Sequence, residues 1–98
     1  MNQIRLYASS KGWIVIRNNV GTFKLADGTF INTGLPKGWP DLMILSPNGQ
    51  TAFCETKIRP RKPSKDQLSM ISLLQSYGFI AFVAYDLDEF IKKMNNFY

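Results

Sequence analysis

The sequence predicts an α/β protein in which helices flank a mixed β-sheet, and three features of the chain lead to this class. A helix capped by Ser64 precedes a fully apolar strand at residues 79–84, as in a parallel crossover. A Ser-Pro-Asn-Gly turn at 46–49 joins two strand-like runs and predicts an antiparallel pair. Helical spacing at residues 2–11 and a capping aspartate before the last helix add helices on the faces of this sheet.

The first half of the chain predicts, in order, one helix, one strand, one hairpin and one loop. Their bounds are residues 2–11, 13–17, 22–33 and 34–40. Gly12 ends the helix, and the strand that follows is rich in β-branched and aromatic residues. The pair Asp27-Gly28 suits a hairpin turn. Two prolines and two glycines exclude a β-ladder from the loop.

The second half predicts three strands and two helices. The strands cover 41–45, 50–58 and 79–84; one helix lies between Ser64 and Gly78, and the other runs from Asp86 or Asp88 through Met94. Ser64 and Gln67 have the spacing of a capping box, and Gly78 stands at the C′ position. Alternation along 50–58 places Glu55 and Lys57 on one face and Cys54 on the other.

The composition limits the chemistry that the protein can perform. Its 98 residues are the size of a single domain, which we expect to span 1–98. The absence of histidine excludes a Ser-His-Asp triad and a histidine-ligated zinc, and the single cysteine, Cys54, excludes an internal disulfide. Without an apolar run of membrane-spanning length or a signal peptide, we expect no membrane partner and a cytoplasmic, intracellular setting.

The charge of the chain favours a polyanionic partner, with nucleic acid ahead of a membrane. The net charge is +5, and residues 57–65 contain five cations and no acid. These cations are Lys57, Arg59, Arg61, Lys62 and Lys65. A basic protein kept soluble by its charge is the alternative interpretation of this pattern.

Two carboxylates and an ammonium are expected to meet at one end of the hairpin formed by strands 41–45 and 50–58. Asp41 opens the first strand, while Glu55 and Lys57 lie on the second. Close carboxylates repel, and Mg²⁺ or Mn²⁺, which prefer oxygen ligands, would relieve the repulsion. A water held beside Lys57 is then a candidate nucleophile for a phosphorus atom. A loop-ending Asp41 and a solvated Glu55–Lys57 pair remain the purely structural alternative.

The same residues resemble the signature of the PD-(D/E)XK nucleases. Pro40-Asp41 is followed after thirteen residues by Glu55-Thr56-Lys57. The surrounding residues look like the VRR-NUC branch, which occurs as stand-alone phage proteins and within DNA-repair nucleases. This similarity runs from about residue 12 to about residue 84, and it is carried by GLPKGWPDL at 34–42, Gly49, SKDQ at 64–67, and Arg17-Asn18-Asn19 with Gly21.

The resemblance implies a restriction-endonuclease-like αβββαβ core and metal-dependent hydrolysis of DNA phosphodiesters, with no small-molecule cofactor. It implies that Asp41, Glu55 and the carbonyl of Thr56 bind Mg²⁺ or Mn²⁺, and that Lys57 orients or activates the water. Gln67 would be an accessory catalytic residue, although its capping box explains it equally well. The residues expected to contact DNA are Asn19, Lys37, Arg59, Arg61, Lys62 and Lys65.

One departure from that family concerns the first helix. Family members usually carry a further acid there, whereas residues 1–12 contain no Asp or Glu; Gln3 is the candidate substitute. We expect a structure-selective endonuclease that acts as a homodimer on branched DNA such as a four-way junction, in a bacterial cell if the protein is phage-encoded. The alternatives are a catalytically weak DNA-binding module, a monomeric flap or single-strand nuclease, and a basic adaptor whose charged residues form only ion pairs.

Overall fold

The strands that the structure describes form two sheets, one of four strands and one of two. The computed structural model describes residues 2–18, 22–32, 34–95 and 97. In chain order the helices and strands are α1 (Asn2–Ser10), β1 (Ile14–Arg17), β2 (Thr22–Lys24), β3 (Phe30–Asn32), β4 (Leu42–Leu45), β5 (Thr51–Thr56), α2 (Lys65–Ser76), β6 (Ile80–Ala84) and α3 (Leu87–Lys93). With the β2–β3 hairpin set aside, this is the predicted αβββαβ order followed by α3.

The larger sheet is mixed, as the sequence predicts. Its strands lie in the order β1-β4-β5-β6, and only β5 and β6 are parallel. The 46–49 turn returns β5 antiparallel to β4, and α2 carries the chain across to β6. Within the described residues the hairpin forms a second sheet, in which β2 pairs with β3 and Thr22 lies opposite Asn32.

Two predicted strands are shorter than expected at the end where charged residues stand. β4 begins at Leu42, one residue after Asp41, and β5 ends at Thr56 rather than at Ile58. The N–H of Lys57 still donates to the Ala84 carbonyl at 3.1 Å, after which the chain leaves the sheet. Asp41 and Lys57 therefore lie at the sheet margin, where a polar side chain is not forced into a core.

Both faces of the four-stranded sheet are covered, which explains why β6 is apolar throughout. One buried cluster packs beneath α1 and α3, and it includes Leu42, Ile44, Cys54 and Phe90. A smaller cluster packs beneath α2 and includes Phe53, Ile71, Leu74 and Ala81. Cys54 is fully buried on the face opposite Phe53, as the alternation along β5 predicts. Among the described residues, no helix has the length and apolar character needed to cross a membrane.

Local signals in the sequence set the ends of α2 and α3. The Ser64 hydroxyl accepts from the Gln67 N–H, and the Gln67 side chain accepts from the Ser64 N–H, so the predicted capping box is present. Gly78 follows the C-cap with a positive φ of 94°. Between the two candidates for the start of α3, Asp86 is the N-cap, and its carboxylate accepts from the Glu89 N–H at 2.9 Å.

The loop before β4 packs closely on the first turn of α2. A Cβ at Gly38 would collide with the main-chain oxygen of Asp66, and the φ of Gly38 is +83°. Beyond Gly38, the indole of Trp39 packs edge-on against Phe53 of β5 at a centroid distance of 5.3 Å. The loop thus fixes the start of α2, and with it Gln67, against the sheet.

We expect Gly38→Ala to destabilise the protein by about 2–4 kcal/mol, because an unfavourable φ and a clash with backbone act together. Gly49→Ala is the matched control, since Gly49 has a φ of +90° but no atom within 4 Å of the place that a methyl group would take. The free energy of unfolding of this control should fall by about 1 kcal/mol. Urea unfolding of both variants measures the difference, and equal losses would show that the close approach to α2 contributes nothing.

Candidate active site

The topology brings the predicted catalytic residues to one margin of the sheet. Leu42 pairs with Cys54 across the antiparallel β4 and β5, so Asp41, just before β4, lies beside Glu55 and Thr56 near the end of β5. β6 runs parallel to β5 and pairs Ala84 with Thr56, so its carboxyl end reaches the same place. Residues that are far apart in the chain are thereby collected at one point.

Asp41 is held by Thr56 through both carboxylate oxygens. Oδ1 accepts from the Thr56 N–H at 3.0 Å, and Oδ2 accepts from the Thr56 hydroxyl at 2.5 Å. Each carboxylate oxygen has a second acceptor site, so these bonds orient the group without using up its capacity to bind a cation. The structural role that the sequence left open for Asp41 is present, and it is compatible with a ligand role.

Glu55 is a buried carboxylate with one oxygen unsatisfied. The residue is 5% exposed, and within the described part of the chain its Oε2 has no hydrogen-bond partner. Burial, followed by the charge of Asp41, raises the pKa of Glu55 to about 7, against the opposing effect of Lys57. A solvated strand-face pair, the structural alternative for this residue, does not describe such an environment.

Lys57 and Gln67 both approach the other oxygen of Glu55. The Lys57 Nζ lies 3.9 Å from Oε1, and its side chain is 20% exposed. The Gln67 Nε2 donates to the same Oε1 at 3.2 Å, while its own Oε1 accepts from the Ser64 N–H. The capping role of Gln67 is thus compatible with a position beside Glu55, because the amide oxygen serves the cap and the amide nitrogen reaches Glu55.

A cleft of about 580 Å³ opens beside these residues. It is lined by Asp41, Thr56 and Lys57 on the sheet side, and by Gln3 of α1. Gln3 thus stands near the position where the sequence places a substitute for the missing first-helix acid. Within the residues that the structure describes, no three Asp, Glu, His or Cys side chains gather into a metal-binding group. Any cation bound by Asp41 and Glu55 would need its other ligands from carbonyls, amides or water.

A structure described as a VRR_NUC domain matches this architecture with a TM-score of 0.65. The match covers 99% of this chain and 96% of that one at 24% sequence identity. The chain has the fold of a VRR_NUC domain. Comparison with protein-family models and with curated protein sequences found no match. The α/β class and the mixed sheet predicted from the sequence are confirmed by this likeness.

The cations predicted to contact DNA have different surroundings in this VRR_NUC fold. Arg61 lines the cleft, and Lys62 and Lys65 are exposed beside it in sequence. Lys37 forms an exposed ion pair with Asp66 at 3.2 Å. Asn19 lies outside the described residues. Of the predicted DNA-contacting residues that the structure describes, Arg59 and Arg61 line the cleft, whereas Lys37, Lys62 and Lys65 lie outside its lining.

Arg59 is held in place by α3 rather than left free in solvent. Its guanidinium donates to Glu89 Oε2 at 3.0 Å and lies 4.3 Å from the centre of the Tyr85 ring. Glu89 also accepts from the Tyr85 N–H at 2.7 Å through its other oxygen. Because Glu89 offsets its charge, Arg59 is a fixed wall of the cleft as well as a cation.

Two residues that the sequence interpretation left without a role support the site. The Asn18 N–H donates to the Asp41 carbonyl at 2.7 Å, and its side chain donates to the Pro40 carbonyl at 3.1 Å. Arg17, at the end of β1, also lines the cleft. In the sequence, Arg17 and Asn18 could be connected with the site only because they precede Asn19, a predicted DNA contact. The pairing of β1 with β4 is what places them next to Asp41.

The raised pKa of Glu55 gives a testable dependence of stability on pH in metal-free protein. The folded state holds this proton more tightly than the unfolded state, whose pKa is about 4.5. The contribution of protonated Glu55 to the free energy of unfolding is therefore fully present below about pH 4.5, and it is lost as the pH rises through about 7. In EDTA at pH 8, Glu55→Gln should therefore be more stable than wild type, by on the order of 2–3 kcal/mol.

This advantage should vanish near pH 4.5, and urea unfolding across the pH range measures it. Asp88→Asn, which removes an exposed carboxylate from α3, controls for the change in net charge. An advantage of the same size at every pH would show that Glu55 does not titrate differently in the folded state.

Proposed function

We propose that this protein is a metal-dependent endonuclease that hydrolyses DNA phosphodiester bonds, and that it belongs to the VRR-NUC family. The observation that carries the proposal is the buried Glu55 carboxylate, which keeps an unpartnered oxygen beside Asp41 and Lys57. A buried acid in this state opposes folding, so a fold with no use for the carboxylate would gain stability by replacing it. The VRR_NUC fold and the net charge of +5 agree with this activity.

The residues present fit Mg²⁺ or Mn²⁺. Asp41 and Glu55 supply two oxygen-bearing groups, burial and then the charge of Asp41 raise the pKa of Glu55, and the orphaned Oε2 is an acceptor that lacks a donor among the described residues. These two carboxylates would hold the cation, with the Thr56 carbonyl as the third protein ligand. When bound, the cation would supply Lewis-acid activation of the phosphate and of the attacking water.

The protein's own contribution to hydrolysis lies with Lys57 and its neighbours. Water loses a proton as its oxygen forms a bond to phosphorus, the bond to one ester oxygen breaks with its electron pair, and that leaving oxygen takes up a proton. Lys57, 3.9 Å from Glu55 and partly open to the cleft, holds the water and offsets the charge that builds on the phosphate oxygens. Gln67 restrains the Glu55 carboxylate, so it is a positioning residue.

The basic residues around the cleft supply the affinity for DNA. Arg17 and Arg61 both line it, and Lys62 and Lys65 extend the positive charge along the loop and into α2. Because contacts of cations with phosphates carry no sequence information, we propose recognition of DNA structure rather than sequence. The cytoplasm is the compartment we propose for this activity.

A DNA-binding module with weak cleavage is the second candidate. It is favoured by the two-carboxylate site, since Gln3 stands in the cleft where an acid would add a third negative charge. A neutral amide binds a divalent cation less strongly than a carboxylate does. The two candidates share the fold and the DNA surface, and they differ in the rate of cleavage.

We expect Asp41→Ala and Glu55→Ala each to abolish cleavage, with a loss of at least about a hundredfold. Both should also lose the rise in melting temperature that Mg²⁺ or Mn²⁺ gives to wild type. Lys57→Ala should lose most cleavage yet keep that rise, because its ammonium is not a ligand. Assays on branched and linear DNA with Mg²⁺, Mn²⁺ or EDTA measure the first effect, and thermal unfolding measures the second.

Lys92→Ala, which removes an exposed cation from α3, is the control for loss of charge. Cleavage at near-native rates by all three variants would contradict the nuclease assignment at this site. Metal-dependent stabilisation without cleavage by wild type would favour the weak DNA-binding module.

We further propose that the working unit is a homodimer that cuts branched DNA. Symmetric cutting of a four-way junction needs two sites related by a two-fold axis, which an isologous dimer supplies. Exposed apolar side chains on α1 and in the hairpin loop, among them Leu6 at 72% exposed and Leu25, offer surface for such an interface.

Light scattering at micromolar concentration should therefore give the mass of two chains, and cuts on a synthetic junction should fall on two strands symmetrically. Leu6→Ser should shift the mass toward one chain, whereas Leu68→Ser on α2 should not. A monomeric wild type that nicks only one strand would instead be a flap-type or single-strand nuclease.

A further inference from the structure

A large aliphatic side chain stands exposed in the cleft, next to the proposed catalytic lysine. Ile58 is 80% exposed, more than any other large hydrophobic residue that the structure describes. It directly follows Lys57 and lines the same cleft as Asp41. Scattered apolar residues on a surface need no explanation, but this one lies within the site itself.

The backbone around Ile58 is held firmly. On one side the Lys57 N–H donates to the Ala84 carbonyl at 3.1 Å, and on the other the Ile58 carbonyl accepts from the Arg61 N–H at 2.9 Å. Between them Arg59 is fixed by Glu89 and Tyr85. Ile58 is therefore presented at the start of a tight turn, anchored to β6 and to α3.

The surroundings of Ile58 determine which partner it suits. Lys57, Arg59 and Arg61 flank it within three residues, so an apolar protein surface that covered Ile58 would also have to desolvate cations. DNA offers both complements at once, because its phosphates pair with cations and the faces of its bases are apolar. β-branched isoleucine has few rotamers to lose when it is inserted between bases.

We propose that Ile58 is an apolar wedge that inserts at a base step beside the scissile phosphate and thereby sets the preference for DNA structure. The inference rests on the proposed nuclease function and adds the residue that reads the substrate. Inserting a side chain into continuous duplex carries a cost in lost stacking at that step. At a branch, flap or nick the backbone of at least one strand is interrupted or diverted, so the bases there unstack more easily and the same contact carries a smaller cost.

The wedge is tested by the fluorescence of 2-aminopurine, which rises when the base loses its stacked neighbours. Junction and continuous duplex are made with 2-aminopurine at successive positions around the mapped cut. Ca²⁺, a hard cation of looser geometry, replaces Mg²⁺ so that the DNA is bound and the readout does not depend on cleavage. The variants are Ile58→Ala, Ile58→Leu and Lys57→Ala, with Leu68→Ala on α2 as the matched exposed aliphatic.

Wild type, Ile58→Leu, Lys57→Ala and Leu68→Ala should each raise the fluorescence severalfold at one step beside the cut. Ile58→Ala should bind DNA but leave the fluorescence within about 20% of that of free DNA. Its preference for junction over duplex, taken as the ratio of Kd values, should narrow by about fivefold to tenfold. Its urea unfolding should match wild type, because the side chain is exposed.

If wild-type protein bound DNA with no rise in 2-aminopurine fluorescence at any position, the wedge proposal would be overturned and the nuclease proposal would stand. A rise of equal size in Ile58→Ala would also overturn it. Protein that neither binds nor cuts any of these DNAs would overturn the nuclease proposal, and the wedge with it. If Ile58→Ala changed the oligomeric mass and gave the same fluorescence as wild type, Ile58 would be assigned to a protein contact instead.

Discussion

The hydrogen bonds from Thr56 to both oxygens of Asp41 are the link on which the site depends. They join the residue before β4 to the last residue of β5, at the margin where the two antiparallel strands stop pairing. Asn18, which follows β1, holds the carbonyl of the same aspartate. Three adjacent strands therefore converge on one residue, and its position is set largely by main-chain donors that the sheet itself makes rigid.

Glu55 shows the cost of such a site. A carboxylate that is 5% exposed, with an oxygen that no described residue satisfies, opposes folding when it is ionised. The surrounding structure offsets that cost, since β5 is packed on both faces, with Cys54 in one buried cluster and Phe53 in the other. The buried clusters at the centre of the sheet supply stability, and the charged groups lie at its margin.

Helix α2 connects this margin to the rest of the fold through a single amide. The oxygen of Gln67 closes the capping box at Ser64, and the nitrogen of the same amide restrains Glu55. The first turn of the helix is in turn fixed by Gly38, whose lack of a side chain allows the loop to touch the Asp66 backbone. Helix stability and site geometry are thus coupled, because one side chain serves both.

Much of this structure was determined by the sequence alone, because the signals were local. The capping box at Ser64, the glycine after α2 and the 46–49 turn act within a few residues, and each appears as predicted. The alternation along β5 placed Cys54 on the face opposite Glu55 for the same reason, and the structure buries it there. The spacing between Asp41 and Glu55 was likewise readable, since a tight turn between two strands leaves little freedom in their register.

Only the tertiary structure decided how distant residues meet. It set the hairpin apart from the main sheet, chose Asp86 over Asp88 as the cap of α3, and ended β5 before Ile58. It also paired Arg59 with Glu89, thirty residues further along the chain. Such contacts depend on how the helices pack across the sheet, and the residues nearby in sequence do not determine that packing.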